Sequence, residues 1–201
     1  LGESGVEADA NIIALFSEAL AETRISEYRI ALGSARVLRD LVSCCQMDAG
    51  WENAVYRAFH TSNFVALDNL TKTAEGNQAA ISALAQLPML RGQKEALGEI
   101  RALLAPLGCS EGVDELEALY DLLVERGLGE VVLIDFTVMS SFDYYTGIVF
   151  EAYEPGLGSP IGGGGRYDEM IGKFTGQNTP AVGFSIGFER IVMLLLERGY
   201  Q

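Results

Sequence analysis

Between residues 8 and 22 the apolar side chains Ile12, Ile13, Leu15, Phe16, Ala19 and Leu20 recur at intervals of three and four. That spacing lays one apolar stripe along a helix and predicts one over Ala8 to Glu22. Tyr28-Arg29-Ile30-Ala31-Leu32-Gly33 alternates instead and reads as a strand. Ser34 is placed to cap a following helix that carries Val37, Leu38 and Leu41. From residue 44 to residue 129 the texture is helical, broken at Gly50, Gly76, Pro88, Gly92, Pro106 and Gly112. Its clearest helices are Arg91 to Leu104 and Val113 to Leu123. Strand character then returns at Val131 to Phe136, Gly147 to Tyr153, Pro160 to Arg166 and Ala181 to Ile186. Gly187 closes the last strand, and a helix with Ile191, Leu194 and Leu195 follows. Successive strands on short links predict an antiparallel sheet beside many helices. The expected class is α+β, with 44–129 a mostly helical insertion.

The length of 201 residues fits one domain carrying such an insertion, and 49% hydrophobic content can fill a sizeable core. The net charge of −14 argues against nonspecific nucleic-acid binding, which depends on Lys and Arg facing phosphates. Three cysteines, Cys44, Cys45 and Cys109, and a single histidine, His60, fit no disulfide framework and no zinc spacing. No metal and no cofactor are expected, and the thiols read as reduced and cytoplasmic. No apolar run approaches the roughly twenty residues of a membrane span. The first residues, Leu1-Gly2-Glu3-Ser4-Gly5, lack the pattern of a signal peptide.

The chemistry is concentrated in the last third. Phe142-Asp143-Tyr144-Tyr145-Thr146-Gly147-Ile148-Val149-Phe150-Glu151 is followed by Gly162-Gly163-Gly164-Gly165-Arg166-Tyr167-Asp168. Gly183-Phe184-Ser185-Ile186-Gly187-Phe188-Glu189-Arg190 comes after them. Buried phenols need hydrogen-bond partners, a glycine run admits close approach, and an arginine in a first helical turn suits anions. Together they point to a pocket for a small polar molecule. Arg166 has an alternative role as the ion-pair partner of Asp168 or Glu151.

These segments resemble the histidyl branch of the class II aminoacyl-tRNA synthetases. That family carries Arg-Gly-Leu-Asp-Tyr-Tyr-x-Gly-x-Val-Phe-Glu, here Ser140-Ser141-Phe142-Asp143-Tyr144-Tyr145-Thr146-Gly147-Ile148-Val149-Phe150-Glu151. It also carries Gly-Gly-Arg-Tyr-Asp, here Gly164 to Asp168, and a motif 3 that matches Gly183 to Arg190. Gly2-Glu3-Ser4-Gly5-Val6-Glu7-Ala8-Asp9-Ala10 looks like the stretch after motif 2. The resemblance implies a class II core in which Tyr145, Tyr167 and Tyr144 contact a histidine-like ligand. Gly163, Gly164, Gly165 and Arg166 belong to the same ligand site, and Arg190 is implied as a vestigial nucleotide-binding residue.

One departure redirects the functional expectation. Ser140 stands where the synthetases hold a catalytic arginine, and serine has neither the charge nor the reach of a bidentate cation. By the same resemblance, motif 1, motif 2 and the other histidine contacts would precede Leu1, and an anticodon-binding domain would follow. The chain therefore reads as an N-terminally truncated core. Such a core without that arginine is similar to the regulatory-subunit family of ATP phosphoribosyltransferase. The resemblance implies no catalytic residue, histidine as ligand, a catalytic partner subunit, and a homo-oligomer in the full-length form. The competing expectation is the catalytic core of a histidyl-tRNA synthetase, and a third is a paralogue that only mediates assembly.

Overall fold

The computed structural model describes residues 1–25, 27–139 and 144–200. Helix α1 (Val6–Glu22) carries the predicted stripe, with Ile13, Phe16 and Leu20 fully buried. Strand β1 (Arg29–Ser34) ends at the predicted cap: the Ser34 hydroxyl accepts from the Val37 N–H at 3.2 Å and starts α2 (Ala35–Cys44). Five helices follow: α3 (Ala49–His60), α4 (Phe64–Lys72), α5 (Gln78–Gln86), α6 (Lys94–Leu104) and α7 (Glu111–Glu125). Side-chain acceptors start three of them, Asp48 for α3, Asn63 for α4 and Asn77 for α5, each satisfying amides left open in the first turn. The expected helix from Arg91 begins only at Lys94, because Arg91–Gly92 forms the short strand β2.

The remaining strands are β3 (Val132–Asp135), β4 (Ile148–Tyr153), β5 (Gly162–Arg166) and β6 (Val182–Ile186). Helix α8 (Asp168–Thr175), absent from the sequence expectation, links β5 to β6, and α9 (Phe188–Glu197) follows β6. The six strands lie in the order β2-β3-β1-β4-β5-β6. Four of the five pairings are antiparallel, as expected, and the sheet is mixed only because β1 and β3 run parallel, with Ile30 opposite Val132. Parallel neighbours need a long crossover connection, and α2 to α7 lie on the chain between these two strands.

The register gives the sheet two unlike faces. Ile30, Leu32, Phe150, Gly162 and Gly164 share the face that packs on α1, where Phe16 meets Phe150 at 5.4 Å and Phe184 at 5.0 Å between ring centroids. One continuous apolar core joins this face to the helices up to α7. The opposite face carries Ala31, Gly33, Val149, Glu151, Tyr153, Gly163, Gly165, Gly183 and Ser185, since side chains alternate along each strand and paired residues point the same way. Apart from the buried Val149 these residues are small or polar, and Ser185 is exposed.

Candidate functional site

The small-residue face is where the predicted tyrosines gather. Gly165 is required under Tyr145: a Cβ built there would lie 2.7 Å from two ring carbons of Tyr145 and 2.5 Å from the Ile148 carbonyl. Gly183, paired with Gly165, has the Tyr167 hydroxyl 2.8 Å from the corresponding position. Tyr144 joins the two, with its ring centroid 4.7 Å from that of Tyr145 and 5.9 Å, edge-on, from that of Tyr167. Strict strand alternation would turn Tyr144 away from Tyr145. Both residues precede β4, so the pleat does not govern them, and the three rings form one cluster. Burial, then a hydrogen bond with Tyr144, pushes the Tyr145 phenol well above its ordinary value, so it stays a neutral donor and acceptor.

A backbone knot holds this cluster. The Thr146 N–H donates to the Arg166 carbonyl at 2.7 Å, and the Tyr167 N–H donates to the Ala181 carbonyl at 2.7 Å. Asp168 closes the knot: its N–H donates to the Thr146 hydroxyl at 3.1 Å and its Oδ1 accepts from the Ala181 N–H at 2.9 Å. Arg39 of α2 donates to the Thr146 carbonyl from the other side.

Arg166 departs from its predicted role as a ligand contact. It alternates with Gly165 and points to the helix side of the sheet. There its Nε donates to Asp9 Oδ1 at 2.9 Å and its Nη1 to Asp168 Oδ1 at 2.9 Å. Its Nη2 lies 2.6 Å from Asp9 Oδ1, and the Glu3 and Gly5 carbonyls accept at 3.3 Å. Every guanidinium N–H is thereby committed to protein, and the arginine is a buried brace. Burial pushes the Asp9 carboxyl up while its hydrogen bond and charge contact with Arg166 pull it back, and burial wins.

Further along the same face, Glu151 accepts from the Tyr153 hydroxyl. Its carboxyl is raised by burial and pulled down by the Tyr153 hydrogen bond and by the charge of Arg190, which projects from the first turn of α9. Arg190 itself donates to the Pro160 carbonyl and is exposed. Asp135 at the end of β3 pairs with Arg91 Nε at 3.1 Å and caps Thr137 through Oδ1 at 2.8 Å. Gly163 lies beside Glu151, and Gly164 sits on the helix side, where a Cβ would meet the Gly183 carbonyl at 2.0 Å. The face thus offers phenols at one end and a carboxylate with a nearby guanidinium at the other, an arrangement matched to a small ligand with both a hydrogen-bonding ring and charged groups. Ser140 and Asp143 lie outside the described residues. Among the described residues, no group of three or more His, Cys, Asp or Glu side chains could hold a metal ion, and no helix is long and apolar enough to cross a membrane.

Sequence reasoning missed Asp9, Thr146 and Tyr153. Asp9 alone left a signal, an acidic residue at a buried position near the start of an amphipathic helix.

The histidyl-tRNA synthetase family profile matches residues 1–191. The ATP phosphoribosyltransferase regulatory subunit of Moorella thermoacetica is 36% identical over 199 residues, covering 99% of this chain and 50% of that protein. The protein of the same description from Halothermothrix orenii is 33% identical over 201 residues, covering 100% and 48%. A crystal structure described as an ATP phosphoribosyltransferase regulatory subunit/histidyl-tRNA synthetase from Bacillus halodurans superimposes with a TM-score of 0.88 at 31% identity, covering 96% of this chain and 51% of that one. The chain spans about half the length of the curated relatives it matches. With the profile running over almost all of its residues and the fold matching throughout, the chain belongs to the histidyl-tRNA synthetase family.

Proposed function

We propose that this chain is part of a non-catalytic regulatory subunit of ATP phosphoribosyltransferase, a cytoplasmic protein of histidine biosynthesis. In this reading it binds histidine on the tyrosine-bearing sheet face and modulates a catalytic partner subunit allosterically. The observation that carries the reading is Ser140: the residues implied as histidine contacts are kept, while the position implied for the catalytic arginine holds no cation. Tyr144, Tyr145 and Tyr167 supply hydroxyls that each donate and accept, which suits a neutral imidazole with one N–H and one bare nitrogen. Gly163 keeps the floor low beside Glu151, and Gly165 lets the Tyr145 ring lie close against the sheet. Arg190 is a vestige of nucleotide binding whose present work is to hold the Pro160 carbonyl and to balance Glu151. Residues 44–129 are an insertion in the synthetase-like core, and the full-length protein is a homo-oligomer.

Calorimetric titration of the full-length subunit with histidine, then with ATP, tests the reading. Histidine binds, and Tyr145→Phe weakens it by about 1–3 kcal/mol, the cost of leaving a buried polar group unpaired, while the ring keeps its volume. Equal affinity for histidine in parent and variant removes the main support for sensing.

A further inference from the structure

The helical region holds a pair of thiols with no part in the site described above. Cys44 is the last residue of α2, and Cys109 follows Gly108, whose left-handed backbone (φ 71°) turns the chain between the short 3-10 turn Ala105–Leu107 and α7. The two side chains converge on one acceptor: the Leu107 carbonyl lies 4.0 Å from Cys44 Sγ and 3.5 Å from Cys109 Sγ. Cys44 is also among the neighbours that raise the Cys109 thiol. Both are half-buried, so a small reagent reaches them, whereas Cys45 is fully buried and donates to the Leu41 carbonyl at 3.3 Å. Neighbouring cysteines such as Cys44 and Cys45 rarely reach good disulfide geometry, whereas Cys44 and Cys109 come from separate elements and approach one shared acceptor. The absence of a three-ligand group at this place among the described residues sets metal binding aside.

We propose that Cys44 and Cys109 are a redox modification site that closes to an intramolecular disulfide by exchange with a low-molecular-weight disulfide. Burial, the neighbouring Cys44 side chain and Asp40 push the Cys109 thiol up to about 12 and hold it protonated, so the first exchange falls to Cys44. The attack breaks the reagent S–S bond, joins one reagent sulfur to Cys44 and releases the other as a thiolate that takes up a proton. Cys109 then gives its proton to solvent base and attacks the Cys44 sulfur, displacing the second reagent thiolate. Two protein thiols are oxidised, one reagent disulfide is reduced to two thiols, and two protons pass from protein to reagent. The bond ties the end of α2 to the start of α7 and closes a loop that contains α3 to α6. Intracellular disulfides of this kind are mostly transient and redox-sensing.

The test is incubation of the intact protein with oxidised glutathione, then thiol titration under denaturing conditions and peptide mapping. The expected result is a fall from three free thiols to one, with a peptide linking Cys44 to Cys109, reversed by dithiothreitol. Thermal unfolding of the oxidised form should rise by about 10 °C, from the long loop it closes. Cys45→Ala should keep the cross-link, and Cys109→Ser should stop at a stable glutathione adduct on Cys44. Three thiols remaining after incubation, a link that includes Cys45, or a glutathione adduct that persists on the parent protein overturns the proposal. Because mapping is done on the parent chain, the result does not depend on any variant folding.

Discussion

Replacing Asp9 by alanine isolates the brace under the tyrosine cluster. Asp9 and Arg166 have side chains only 5% and 8% exposed, so neither charge is solvated by bulk water. Removing the carboxylate leaves the Arg166 Nε–H and one Nη2–H without their acceptor. It leaves intact the Asp168 contact at 2.9 Å and the two carbonyl contacts. Breaking a buried pair from one side costs about 3–5 kcal/mol, and the surviving partners place Asp9→Ala at the lower end, about 3 kcal/mol. For a chain of this size that lowers the melting temperature by about 6–12 °C. Asp9→Asn keeps an oxygen acceptor in place and removes only the charge, so its cost is about 1 kcal/mol. Urea denaturation followed by circular dichroism measures both as shifts of midpoint at constant slope. An Asp9→Ala midpoint within about 0.5 kcal/mol of the parent refutes the reasoning, because surface substitutions behave that way. Equal losses for alanine and asparagine refute it too, since they would assign the effect to packing and not to charge.

Other expectations follow from the same geometry. Gly164→Ala drives a Cβ into the Gly183 carbonyl at 2.0 Å, where only backbone can yield, and should cost about 3 kcal/mol in the same denaturation assay. Gly98→Ala, in the middle of α6 with nothing within 4 Å, should instead stabilise by about 0.5–1 kcal/mol. Glu151 has a folded-state pKa raised by burial, so the unfolded chain loses this proton first. Its contribution to stability therefore falls as pH rises from the ordinary glutamate value through the raised one. The parent should lose more stability than Glu151→Gln between about pH 4 and pH 7, and the opposite slope in paired urea titrations contradicts the assignment. Finally, histidine-dependent pyrophosphate exchange by the full-length protein should stay at background, since loss of one preorganised cationic donor costs about 10²–10³ in rate.

Local signals in the sequence carried the local structure. The stripe of α1, the Ser34 cap, the alternation in β1 and the β-branched and aromatic residues of β4 each place within two residues of the observed bounds, because they depend on neighbours a few positions away. What depends on distant partners was not legible. Arg91 and Gly92 read as helix and became a strand because Asp135 and Ile134 offer them a ladder. Val132 to Asp135 carries no mark of running parallel to β1. Helix α8 is short and flanked by glycine, with no buried residue to give it an apolar stripe. At the site, the tyrosines and glycines stood out as residue types, whereas the commitment of Arg166 to Asp9, 157 positions away, has no sequence signature.

The mixed sheet also orders events in time. Strands β4, β5 and β6 are sequential antiparallel neighbours, so their contacts close short loops and can form in isolation from the rest of the chain. The β1–β3 pair joins segments about a hundred residues apart, and its loop-closure entropy is offset only after the intervening helices have shortened the effective distance. The strand that completes the sheet is therefore the one whose docking waits on helix assembly. A chain paused at that stage would hold the glycine-rich hairpins formed and the β1 edge of β4 still bare, the edge on which two copies would mispair.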